Sequence, residues 1–171
     1  MNKHGRYVLK KFVSVKKMKQ IKGRKKFARV AQRAYCMVTS INNVFGKEVI
    51  KLDEVIQAAK DLNKKNKSTA FGNEAGYFHY TTMKVCLNRV GFDILKCKGI
   101  VHTHTTMSKI KEGKYIVLGY SDESNVHAIA IDGDNSLCIC DTESGYYPLS
   151  EYAIIKSLPY GVLTTFKIVL K

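Results

Sequence analysis

The chain has 171 residues, 45% of them hydrophobic, which is enough for one complete core and too few for two. Its formal net charge of +15 is local, because residues 1–47 hold 14 Lys or Arg and no acid while the remainder is close to neutral. These figures argue against a membrane-spanning protein, whose helix needs about 20 apolar residues, and against a secreted disulfide framework, since five cysteines is an odd number and no export signal is evident. A single intracellular domain carrying a basic arm is the expectation.

The arm covers residues 1–30 and contains "KKFVSVKKMKQIKGRKK", where apolar residues fall between paired lysines without a period of 2 or 3.6. Such a stretch cannot bury a face of its own. It reads either as a solvated tail or as a phosphate-binding arm through Lys10, Lys11, Lys16, Lys17, Lys19, Lys22, Arg24, Lys25 and Lys26. No stacking platform or zinc knuckle accompanies these residues, so any nucleic-acid binding is expected to be weakly sequence-specific.

The domain is expected over residues 31–171. Val38, Ile41, Val44 and Phe45 follow Cys36 at spacings of three and four and predict a helix ending at Gly46. "LDEVIQAAKDL" predicts a second helix with its acids in the first turn. The polar stretch "NKKNKSTAFGNEAG" reads as a loop, "TTMKVCLNRVG" as a third helix, "FDILKC" as a strand and "TTMSKIKEG" as a short helix. From residue 114 the pattern turns to strand: "KYIVLGY", "HAIAID" and "SLCICD" predict an antiparallel meander with "GDN" as a turn. A helix at "SEYAIIKSL" and a strand at "GVLTTFKIVLK" follow. Helices first and an antiparallel sheet afterwards is an α+β order.

One constellation carries chemistry. A cysteine attacks as thiolate, and a helix N-terminus favours that anion; Cys36 stands where such a terminus is expected. A base must lie within reach, held in one tautomer by an acceptor. His127 opens one predicted strand and Asp141 closes the next, so a hairpin makes them neighbours. Gln32, shortly before the cysteine, can join the Cys36 N–H in an oxyanion site. The plainer reading is a buried thiol and a satisfied histidine, which is the reading given to Cys86, Cys97, Cys138 and Cys140. "VHTHTT" sets His102 and His104 on one side of an extended segment, but no third ligand is nearby. No metal or cofactor is expected.

From Cys36 through "INNVFGKEVIKLDEVIQAAKDL", again at "AGYFHYTTMKVCLNRVGFDIL", and at "KYIVLGY" leading to "VHAIAID" and "LCICD", the chain resembles the Josephin domains, papain-like cysteine peptidases best known as deubiquitinases. The resemblance covers about residues 32–142 and leaves the arm outside. It implies a papain-like α+β fold, with N-terminal helices packed on an antiparallel sheet. By the same resemblance Cys36 is the nucleophile, His127 the general base, Asp141 its orienting partner and Gln32 the oxyanion residue. Three departures stand out. Asp141 replaces the family's Asn, Gln32 is one residue closer to the cysteine, and "NKKNKSTAFGN" occupies the place of a helical hairpin that grips ubiquitin. The substrate assignment therefore does not carry over with the machinery.

The leading expectation is a cysteine peptidase or isopeptidase acting on a protein or peptide substrate. The arm would tether it to nucleic acid or to a viral or ribonucleoprotein assembly. Richness in Lys, Asn, Ile and Tyr fits an AT-rich genome, such as that of a phage, a large DNA virus or a low-GC bacterium or protist, and the setting expected is intracellular or virion-associated, without a membrane. Two alternatives come from other classes: an inactive papain-like scaffold anchored by its arm, and a plain nucleic-acid-binding protein.

Overall fold

Packing begins with α1, Cys36–Phe45, whose Met37, Val38, Ile41 and Val44 are buried in the main core. The computed structural model describes residues 35–72, 78–98, 108–140 and 145–171, and every structural statement concerns these. Gly46 closes the helix in the left-handed region at φ 65°, where a Cβ would be strained. The sequence pattern predicts one apolar face, yet Thr39, Ser40, Asn42 and Asn43 are buried as well. The helix packs on the sheet and shares its core with two further helices.

Those helices are α2, Leu52–Asn66, and α3, Tyr80–Arg89. α2 runs four residues past the predicted "LDEVIQAAKDL", into the stretch read as a loop. The side chain of Asn63 explains this, donating to the Gly72 carbonyl at 2.8 Å and accepting from the Phe71 N–H at 3.1 Å. Lys67, left-handed at φ 48°, then ends the helix. α3 is capped by His79, whose side chain accepts from the Thr81 N–H, so the helix starts one residue before the expected threonines.

Six strands form one sheet: β1 Phe92–Cys97, β2 Lys114–Tyr120, β3 Val126–Asp132, β4 Leu137–Cys140, β5 Gly145–Pro148 and β6 Val162–Leu170. Their spatial order is β1-β6-β2-β3-β4-β5, and every neighbouring pair is antiparallel. The predicted meander is therefore present as β2-β3-β4, while β5 was not expected. The last strand inserts between the first two. α4, Glu151–Ser157, is capped by the Ser150 hydroxyl, which accepts from the Ala153 N–H at 3.1 Å.

The sheet has a core on each face. Ile94, Ile116, Ala128, Ala130, Ile139, Phe166 and Ile168 pack with α1, α2 and α3. Tyr115, Val117, Ile129, Ile131, Cys138 and Val162 pack with Ala153, Ile154 and Leu158 around α4. The architecture is thus α+β, three helices against one face of an antiparallel sheet and one against the other. Gln32, Asp141, His102, His104, the nine basic residues of the arm and residues 105–107 of the predicted "TTMSKIKEG" helix lie outside the described residues; of the rest of that stretch only 108–109 are helical, and 110–113 are not.

Candidate active site

Cys36 is the first residue of α1. Tyr35, with φ −97° and ψ 21°, sets the helix off without a side-chain cap, and no acid occupies the first turn. The positive end of the helix dipole is therefore left uncompensated by a carboxylate within that turn. Cys36 is half-buried and packs against the main core. Beside it the Tyr35 ring stacks on Phe78 with centroids 6.0 Å apart and planes at 20°.

Two sets of contacts orient α1 on the sheet. Midway along the helix, the Ser40 hydroxyl donates to the Ala128 carbonyl at 3.1 Å. At its end, the Phe45 ring lies 4.7 Å from Phe92, and Lys114 Nζ stands 5.8 Å from the Phe45 ring and 3.7 Å from Asp132 Oδ1. Ala128 is near the start of β3 and Asp132 is its end, so α1 runs in the direction of β3. Cys36 and His127 consequently belong to the same end of the layered structure. β4 also finishes at that end with Cys140, the residue before Asp141.

Strand alternation adds a second fact. Ala128 and Ala130 face α1, whereas Ile129 and Ile131 face α4. His127 shares the parity of the isoleucines. It stands opposite Gly119, where a Cβ would meet the Gly161 carbonyl and come within 2.8 Å of Leu158 Cδ1, both on the α4 side. The register thus assigns His127, which is 5% exposed, to the α4 face. The fold brings the two elements together at one end without setting the two side chains on one face.

Around this end, the β2–β3 loop is held by Asp122. Its carboxylate accepts from the N–H groups of Ser124 and Asn125, both at 2.8 Å, and from the Asn125 side chain. The Ser124 N–H is the main cause of a pKa lowered to about 2, with the Asn125 side chain and N–H adding to it. Asp122 therefore makes this loop a built turn.

The other described thiols differ from Cys36. Burial pushes the pKa of Cys86 up, with Glu54 raising it further and Arg89 opposing; burial likewise raises Cys97. Cys138 is fully buried against the α4 side. Among the described residues no group of three or more His, Cys, Asp or Glu is arranged to hold a metal ion. An open depression of about 540 Å³, lined by Asn63, Lys64, Lys67, Ser68 and Thr69, contains none of the predicted site residues. The features missed at the sequence level are the buried Ser40 hydroxyl and the Tyr35–Phe78 stack. Only the aromatic types hinted at the second. The chain matches no protein-family model, and no curated protein is similar to it in sequence.

Proposed function

We propose that the protein is a cysteine peptidase or isopeptidase of papain-like fold. The observation that carries this reading is the parallel run of α1 and β3, with Cys36 at the start of one and His127 at the start of the other. In the proposed reaction His127 takes the thiol proton and Cys36 attacks the scissile carbonyl. The Cys36 N–H stabilises the oxyanion, and His127 returns the proton to the leaving amine. Water then hydrolyses the thioester. Asp141 and Gln32 keep the orienting and oxyanion parts that the family resemblance implies. The arm serves as a tether to nucleic acid or to a viral or ribonucleoprotein assembly, in an intracellular or virion-associated setting.

Thiol reactivity tests the reading. Iodoacetamide at neutral pH should modify Cys36 at least about tenfold faster than Cys86, Cys97, Cys138 and Cys140, and His127→Ala should remove that preference. Uniform slow labelling of all five would discard it. A second reading, an inactive scaffold of the same architecture, is favoured by one observation: the strand parity that groups His127 with Ile129 and Ile131. On that reading His127→Ala leaves Cys36 labelling unchanged.

A further inference from the structure

We infer that Ser40 is a positioning residue for the Cys36–His127 pair, an inference that rests on the thiol-hydrolase reading. Ser40 lies four residues beyond Cys36, one helical turn along α1, and is 2% exposed. Its hydroxyl donates at 3.1 Å to the carbonyl of Ala128, the residue after His127. The backbones that carry Cys36 and His127 are thus linked through one turn of helix, one hydrogen bond and one peptide unit.

The surroundings make the hydroxyl conspicuous. Met37, Ile41 and Val44 on the same helix pack through apolar surface, whereas Ser40 reaches the strand through a directional bond. Apolar contact is non-directional, so by itself it sets the position of helix on strand less sharply than a hydrogen bond does. A hydrogen bond weakens steeply once donor and acceptor move out of line. Sliding α1 by one residue, about 1.5 Å, would break it.

The acceptor is suited to this use. Ala128 stands opposite Leu118 of β2 and is the next residue on β3 after His127. Ala128 and Ala130 are small and let α1 approach the strand closely. Ser40 therefore fixes α1 lengthwise on β3 one residue from His127. Misplacement by about 1 Å is enough to cost two orders of magnitude in rate at a reacting centre.

The test is competitive iodoacetamide labelling of the full chain, read by mass spectrometry, in wild type, Ser40→Ala, Ser40→Thr, His127→Ala and the Ser40→Ala/His127→Ala double variant. Ser40→Ala should slow Cys36 labelling about tenfold and Ser40→Thr, which keeps the hydroxyl, should restore most of it. In the His127→Ala background Ser40→Ala should change nothing further, because the two act through one geometry. An unchanged rate in Ser40→Ala, or an equal loss with and without His127, overturns the role assigned to Ser40 while leaving the hydrolase reading intact. If wild-type Cys36 shows no preference, the hydrolase reading fails and this role falls with it. Should Ser40→Ala not fold, Ser40→Thr decides alone: labelling at the wild-type rate supports the inference, and loss of the Cys36 preference overturns it.

Discussion

Asn42 shows how much a single buried polar residue can organise. It is 6% exposed; its Nδ2 donates to the Ile50 carbonyl at 2.9 Å, and its Oδ1 accepts from the N–H groups of Val49 and Ile50 at 2.8 and 3.1 Å. These bonds fold the segment after Gly46 back along α1 and deliver Ile50, 1% exposed, to the core. Asn42→Ala would leave two amides and a carbonyl without these partners in a part-buried place. We expect a loss of about 2–4 kcal/mol in urea unfolding. A loss below about 0.5 kcal/mol would mean that water replaces the side chain. In the sequence Asn42 was visible only as part of an "INN" triplet, since a residue type does not show which backbone groups it will satisfy.

The β2–β3 loop is the element whose behaviour with pH follows most directly from its bonds. Asp122 in the folded protein titrates at about 2, below the ordinary carboxylate value of 3.8. A lowered folded pKa means that the contribution of this carboxylate is fully present above the ordinary value and is lost as pH falls through about 2. NMR titration should give a midpoint near 2, and the Ser124 and Asn125 amides should lose exchange protection over that range; a midpoint near 3.8 would refute the turn. Other elements divide by the kind of signal that makes them. α1, β1 and β2 were legible to within a residue because apolar periodicity and glycine stops are local. The last turn of α2 was not, since "NKKN" is polar and its helix is held by Asn63 reaching Phe71 and Gly72. β5, "GYYP", carries two breaker types and exists through its pairing with β4. The hairpin that brings the chain from His127 to Cys140 was also legible. The face His127 starts on was not, because parity acquires meaning only once α1 is known to cover Ala128 and Ala130.

For the whole molecule, the division of charge is the dominant electrostatic fact, with residues 1–47 carrying 14 basic side chains and no acid. If the nine arm residues from Lys10 to Lys26 each neutralise a duplex phosphate, the log–log slope of affinity against salt approaches about −8. Removing residues 1–26 should flatten that slope and leave Cys36 labelling as it was. A steep slope that survives the deletion would move the nucleic-acid contact into the domain. The strand order has a consequence for synthesis as well. Among the described residues β1 joins the sheet only through β6, with Phe92 beside Leu170 and Cys97 beside Thr165. On the ribosome, residues 92–97 therefore wait for a partner made about seventy residues later, roughly 4–15 seconds at ordinary translation rates. Throughout that interval the nascent chain carries an unpaired "FDILKC" edge, which makes it the segment most in need of a chaperone until residues 162–170 emerge.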